Sequence, residues 1–368
     1  MRRFKFDPVT IAAIIVMMLI SSVCLADSPK VLRMQTSYPG TTPTFENFQF
    51  WAERVNAMAG GRLKIEVLPA GAIVPAFEVL DAVHKKAIDG GQSAPSYWVG
   101  KIRAAALFGP APGGPFGMDW TDYIGWIYDG GGLQLYNEMY QEKLKRNVIP
   151  IPMTTATYQP LGWFKSPVKS WEDLKGRKCR ETGLTAEVFS KSGMATVNMP
   201  GGEIVPSGER GVIDCGEFAG PYEDMKMGFQ TVWKYYYLPS MHEPSTVLEL
   251  LINGDVWKSL TPDLQEIIKS AAMEATFRSQ TTANKRNADA LVTLKNDDKV
   301  NIERTPDDIM VKILESWDQI AKAESEKDQF FKKVYDSQRA YAQKVVPAKV
   351  VTNPPYSFAA NYYWGKTK

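Results

Sequence analysis

The sequence predicts an α/β chain folded as two lobes, spanned by one long helix and extended at its C-terminus by further helix. Three observations carry that expectation. Strand-like and helix-like segments alternate from Lys30 to Gly90 and again from Ser170 to Phe218, which implies sheets with helices on their faces. A helical pattern then runs from Thr261 to about Asp297, and some 35 residues of helix would reach about 50 Å, too far for one lobe. The 368 residues are 44% hydrophobic and 23% charged, an ordinary globular composition, and a chain of that length makes about two domains. The expected segments are a leader at 1–26, a first lobe at 27–155, a second lobe at 156–240, a return strand to the first lobe within 241–260, the spanning helix at 261–297, and a helical region at 298–368 that is a candidate dimerisation arm.

The leader, MRRFKFDPVTIAAIIVMMLISSVCLADS, has a basic start, an apolar run from Val9 to Leu25 and small residues before a cut after Ala26. The competing reading is an uncleaved anchor, for which the run sits near the lower limit of about 17 residues. Removing 1–26 takes three basic residues and one acidic residue from the totals of 43 and 41, leaving 40 of each. An exported, formally neutral chain gives no reason to expect nucleic acid or an anionic membrane as partner. Cys179 and Cys215 remain. They either bridge neighbouring strands or are two small buried hydrophobes, and the second is the preferred expectation.

Each element has its own signal. KVLRMQTSY reads as a strand. Phe45, Phe48, Trp51, Ala52 and Val55 share one helical face, ended by Gly60-Gly61, and RLKIEVLP returns as a strand. PAFEVLDAVHKKAIDG reads as a helix leading into the small-residue strand GGQSA. Residues 109–132 are rich in Gly, Pro and aromatics, and GPAPGGPFGMDW at their start reads as an irregular loop that buries its rings. A helix over GLQLYNEMYQEKL follows, then strands NVIPIPM and LGWFK joined by TTATYQP. Ser170 is placed to cap a helix in the second lobe. Tyr235, Tyr236 and Tyr237 read as an alternating strand beside the hinge, and STVLELLIN as the return strand. Thr261 as cap and Pro262 in the first turn start the long helix. From about Asp307 to Val346 the chain reads as one long helix whose Phe330, Phe331, Val334, Tyr341 and Val345 require a partner surface.

Catalysis has little material. His84 sits between apolar residues and two lysines and is expected at the surface, while His242 is expected in a turn before Glu243-Pro244. No HExxH or GxSxG is present, and the glycines of GPAPGGPFG lack the Lys-Ser/Thr of a phosphate loop. Glu217 with Glu223, Asp224 or Glu243 is the remaining enzyme reading, an acid–base pair. Against it, Glu223 and Asp224 after Pro221 are what a helix N-terminus favours. A binding reading uses the charges better. Arg180, in CRETG, offers a planar fork for a carboxylate, and Glu217, in CGEF, would repel that carboxylate unless a cation lay between them. Glu217, an amide such as Gln159, and backbone carbonyls are the oxygen ligands that Na⁺ or Ca²⁺ takes, with Glu243 a possible second carboxylate favouring Ca²⁺.

Taken together, GRLKIEVLPAGAIVPAFEVLDAV, SYWVGK, WEDLKGRKCRETG, MPGGEI, RGVIDCGEFAGPYEDMKMGF and KYYYLPSMHEP resemble the solute receptors of TRAP transporters, in the branch that binds 2-oxo and 2-hydroxy acids. The resemblance implies a two-lobed, type II-like periplasmic binding protein without catalytic activity, a small organic acid as ligand, TRAP membrane subunits as partners, and a homodimer. By position it implies that Arg180 grips the carboxylate, that Gln159, Glu217, the carbonyl of Phe218 and Glu243 surround the cation, and that Tyr97 and Trp98 cover the ligand. The sequence departs from the family's pattern at Phe218, where tryptophan is usual, at Glu181-Thr182, where Ile-Pro is common, and at Glu209, where an apolar residue is usual.

Overall fold

A computed structural model describes residues 28–109, 112–155, 158–244 and 246–365; the leader expected at 1–26 lies outside the described residues. The strands are β1 (Lys30–Thr36), β2 (Leu63–Leu68), β3 (Gly90–Ser93), β4 (Val148–Thr155), β5 (Gly162–Phe164), β6 (Lys178–Arg180), β7 (Ala195–Val197), β8 (Cys215–Gly216), β9 (Tyr235–Leu238), β10 (Val247–Asn253) and β11 (Asn301–Arg304). They form two sheets, in the orders β2-β1-β3-β10-β4 and β11-β9-β5-β8-β6-β7. In the first, β1 is parallel to β2 and β3, whereas β10 enters antiparallel between β3 and β4. All seven residues of β10 are buried, as expected of a central strand covered on both faces.

The helices that position the site follow from local chemistry. Helix α1 (Pro43–Met58) is capped by Thr42, whose hydroxyl accepts from the Phe45 amide, and buries Phe45, Phe48, Trp51, Ala52 and Val55. Helix α2 (Val79–His84) covers β3. Helix α3 (Trp120–Asp129) begins where the expected irregular loop ends, over residues for which no helix was expected. Asp119 and Asp122 close a reciprocal capping box there, a signal masked by the Gly and Pro residues just before it. Helix α4 (Gly132–Glu138) follows. In the second lobe α5 (Thr185–Ser190), α6 (Ile204–Glu209) and α7 (Pro221–Met227) are short, and Ser170 heads only a single 3₁₀ turn over Glu172–Leu174. Helix α8 (Pro262–Lys295) packs on β4 and α1 at one end and reaches α7 and β11 at the other. Its Ile268, Ala271, Ala272 and Ala275 join the first core, and Leu294 joins the second. Among the described residues no helix is long and apolar enough to cross a membrane.

The C-terminal region departs from expectation in two ways. Instead of one helix there are two, α9 (Asp307–Lys327) and α10 (Gln329–Thr352), broken at Asp328, whose extended backbone lets its carboxylate accept from the Phe330 and Phe331 amides at 2.8 and 3.3 Å. Phe330, Phe331 and Val334 also find their apolar surface within the chain, in a core shared with α3, α4 and residues 103–108. Lys333 pairs with Glu138 at 2.6 Å, the Trp126 indole donates to Ser337 at 3.1 Å, and Gln338 donates to the Leu107 carbonyl at 2.6 Å. The face with no cover is further on: helix α11 (Tyr356–Trp364) has no buried residue.

Candidate functional site

The site is assembled at strand ends, where α/β sheets present ligands. Arg180 closes β6, paired with Val197 of β7 and Gly216 of β8. One residue after β8 stands Glu217. The preferred expectation for the cysteines is corrected here: Cys179 and Cys215 face each other across β6 and β8, 4.5 Å apart at Cα, and form a disulfide. The bridge thus lies directly beside both charges.

Arg180 and Glu217 form a direct ion pair at 3% and 1% side-chain exposure. The Arg180 Nε also donates to the Met199 carbonyl at 3.2 Å and its Nη1 to the Glu217 carbonyl at 3.1 Å. Only one Glu217 oxygen is used. Oε2 is buried with no hydrogen-bond partner. Burial pushes the Glu217 carboxyl up, against the opposing pull of Arg180. Two further carboxylates stand nearby, both buried to within 3% of full enclosure. Burial raises Glu181 and Glu243 well above the ordinary carboxylate range, and repulsion from Glu217 adds to the shift in each. Glu243 is held by the Gln159 side-chain amide, which donates to its Oε2, and by Thr185 Oγ1 at 3.5 Å. With its nitrogen so engaged, Gln159 leaves Oε1 buried and unpartnered, as is Glu181 Oε2.

Tyr97, Gln159, Arg180, Phe218 and Glu243 line one cavity of about 30 Å³, measured as space open to the centre of a water-sized sphere. One water takes roughly 10–15 Å³ on that measure, so the cavity holds a group of a few heavy atoms. Both lobes supply its walls: Tyr38, Ser96 and Leu248 from the first, Thr182 and Ala219 from the second. Tyr38 meets Tyr97 and Phe218 with ring centres 6.3 Å away in each case, and Arg180 lies 5.8 Å from the Phe218 ring centre. Gly201 lets that ring approach, since a Cβ there would fall 2.2 Å from Phe218. Burial pushes the Tyr97 hydroxyl up to about 12, partly offset by Arg180.

One expected placement fails. Trp98 is fully buried away from the cavity, donating its indole N–H to Glu249 at 2.7 Å; Tyr136 and Tyr140 donate to the same carboxylate. It diverges from Tyr97, which lines the cavity, because the two are successive residues of one 3₁₀ turn. His242 stands in the expected turn and is completely buried there: its Nδ1 lies 2.7 Å from Ser240 Oγ, and burial aided by Arg180 lowers it to about 3. His84 is half-buried and accepts from the Asn147 amide at 3.0 Å. Glu223 and Asp224, offered as acid–base partners of Glu217, have other contacts. Thr44 donates to Glu223 at 3.2 Å, and Trp163, Tyr236 and the Ala219 amide donate to Asp224. The reading of the residues missed Tyr38 and Ser96. Their place at the carboxyl ends of β1 and β3 is the signal that would have found them.

The oxygens of Gln159 and Glu217 that lack partners, beside Glu243, are a donor set suited to a hard cation. Among the described residues no three His, Cys, Asp or Glu side chains gather at metal-holding distance. A cation here would therefore draw on amide and backbone oxygens as well as carboxylates.

Comparison with known proteins gives concordant matches. The family described as bacterial extracellular solute-binding protein, family 7, matches residues 34–327. A monocarboxylate 2-oxoacid-binding periplasmic protein of Nostoc is 35% identical over 313 residues, 85% of this chain and 84% of that one. A TRAP transporter solute-binding protein of Bordetella bronchiseptica, solved with calcium and picolinate, superposes with a TM-score of 0.86 at 28% identity, covering 91% of this chain and 99% of that one. A TRAP periplasmic solute-binding protein of Pseudoalteromonas atlantica, solved with sodium and pyruvate, gives 0.83 at 29% identity, covering 90% and 99%.

Proposed function

Because this chain belongs to the bacterial extracellular solute-binding proteins of family 7, we propose that its cleft binds a small monocarboxylate, a 2-oxo or 2-hydroxy acid, together with a cation, in the periplasm, for delivery to TRAP membrane subunits. The observation that carries this reading is the unequal wall of the cavity: a buried guanidinium, that of Arg180, and the unpartnered buried oxygen of Gln159, while Glu217, with an unpartnered oxygen of its own, is paired to Arg180 outside the lining. An acid satisfies both. Its carboxylate takes the Arg180 guanidinium in place of part of that group's present contacts, with Tyr97 beside it. Gln159, Glu217, Glu243 and the Phe218 carbonyl would hold the cation, which supplies the positive charge that lets the ligand sit near Glu217. Tyr38, Tyr97 and Phe218 exclude water from around it. A three-carbon acid asks for less enlargement of this small cavity than an aromatic one.

The chain acts as a receptor without chemistry of its own. Of the acid–base candidates Glu223 and Asp224 have contacts elsewhere, and Glu243, on the cavity wall, is held by Gln159 and Thr185. A panel of 2-oxo, 2-hydroxy and aromatic acids, run with Na⁺ and Ca²⁺ both present, tests the reading by thermal shift. A shift largest for pyruvate or lactate is expected. No shift with any member overturns it, and conversion of a bound acid would overturn the receptor reading in favour of an enzyme.

A further inference from the structure

We propose that Arg103 is a latch between the lobes, a positioning residue that grips Glu187 across the cleft and sets how long the closed cavity keeps its solute. The inference rests on the receptor reading above for what the cavity holds. Arg180, Gln159 and Glu243 are each no more than 5% exposed, and both lobes wall the cavity around them. A solute therefore enters and leaves only when the lobes part. Contacts that cross the cleft away from the cavity oppose that parting, so they act on residence time rather than on recognition.

Two short segments meet along this seam. From the first lobe, Ser96 and Tyr97 line the cavity and the chain runs on to Arg103. From the second, Arg180 and Thr182 line it, and Gly183 lies so close to Ser96 that a Cβ there would fall 3.1 Å from the serine Cβ. Thr185 then donates to Glu243 at 3.5 Å, and Glu187 follows on the same helix, α5. The seam begins at the cavity wall and ends at an ion pair. Arg103 Nη1 and Nη2 donate to the two Glu187 oxygens at 2.5 and 2.7 Å, and its Nε to Glu324 of α9 at 3.2 Å. Helix α9 packs on α5, so both carboxylates hold Arg103 from one side. The guanidinium is 31% exposed and Glu324 11%, which shields this three-membered network from solvent better than an isolated surface pair. A planar fork on a carboxylate also fixes direction, so it holds one relative placement of the lobes. By contrast Thr44 and Glu223, which also join α1 of the first lobe to α7 of the second, share a hydroxyl contact at 3.2 Å with no fork.

The test compares the full mature chain with Glu187→Gln, Arg103→Gln, Arg103→Lys and the double Gln variant, with Na⁺ and Ca²⁺ both present. Calorimetry reads pyruvate affinity, and a chase of radiolabelled pyruvate with unlabelled pyruvate reads release. Release from Glu187→Gln is expected to be about two- to fivefold faster, the range for one ion pair of good geometry, with affinity falling to match and the melting temperature of the unliganded protein unchanged. Arg103→Gln should lose more, because Glu324 is lost as well, and the double variant no more than Arg103→Gln alone. Arg103→Lys, which keeps the charge without the fork, should recover part of the loss. Unchanged release in folded Glu187→Gln, or losses that simply multiply in the double variant, overturns the latch and leaves the receptor reading standing. If no acid of the panel binds, that reading falls and the latch is judged without a solute. Hydrogen exchange over residues 96–107 should then be faster in Glu187→Gln, whose substitution lies in the other lobe, and equal exchange ends the proposal.

Discussion

The Arg180–Glu217 pair determines what substitutions there will do. Removing one member of a buried pair leaves the other charge uncompensated, typically at a cost of about 3–5 kcal/mol. Arg180→Met should therefore abolish acid binding and also lower stability to urea, with Glu217 protonation recovering part of the loss. Arg180→Lys keeps the charge but loses the planar fork, and acid affinity should fall by about 1.5–3 kcal/mol by calorimetry. An Arg180→Met protein as stable as wild type would show that the pair contributes nothing to the fold. A second residue-scale prediction concerns pH. Burial raises Glu249, on β10 beside Trp98, to about 7, and Glu223 and Asp224 likewise. A carboxyl raised in the folded state stabilises while it is protonated, fully so below its unfolded pKa, and loses that contribution as pH rises through the folded value. His242, lowered to about 3, works the other way, favouring the fold above its unfolded pKa. Three carboxyls outweigh one imidazole between roughly pH 5 and 7. The melting temperature of the unliganded protein should rise as pH falls from 8 to 5.5, and Glu249→Gln should shrink that rise. A flat profile in the wild type would contradict the assignment.

Among the elements, those with an uninterrupted pattern were legible in the sequence. The face of α1 was readable from five apolar residues at helical spacing, and the start of α8 from Thr261-Pro262, although Thr261 spends its hydroxyl on Asp263 rather than on the helix amides. What could not be read depended on contacts far along the chain. Helix α3 was hidden by its glycine-rich approach, and the break at Asp328 lies in a charged run, ESEKDQ, that is equally compatible with one helix. At the site, Arg180, Gln159, Glu217 and Glu243 stood out as charges or amides in apolar surroundings. Trp98 did not betray its direction, because that depends on a carboxylate 151 positions away. Asp119 offers a test of the misread element. It caps α3 and pairs with Lys349 of α10 at 2.5 Å. Asp119→Ala should cost about 0.5–2 kcal/mol in urea unfolding, and a loss below that range would mean that α3 is held by its apolar face alone.

For the whole molecule, the burial of Phe330, Phe331 and Val334 transfers the question of a partner from α10 to α11. Phe358, Tyr362, Tyr363 and Trp364 are each more than 70% exposed, an apolar surface larger than a lone helix keeps in water. The proposed homodimer is therefore expected to depend on residues 353–368. Light scattering of the mature chain should give a dimer, and of a chain ending at Thr352 a monomer with an unaltered melting temperature. Dimers of equal strength in both would move the interface elsewhere.

The disulfide has a consequence for where the receptor can mature. It closes a loop over a separation of 36 residues, and a crosslink over such a loop contributes about 3–4 kcal/mol by restricting the unfolded chain. It also joins the two strands whose ends carry Arg180 and Glu217. Inside a reducing cytosol that bond does not form, so a chain held back there lacks the covalent tie beneath its binding residues. Oxidation is thus expected to precede full competence, and a preparation kept reduced is a different starting material, whose weaker grip on the proposed acid would report its redox history rather than its sequence.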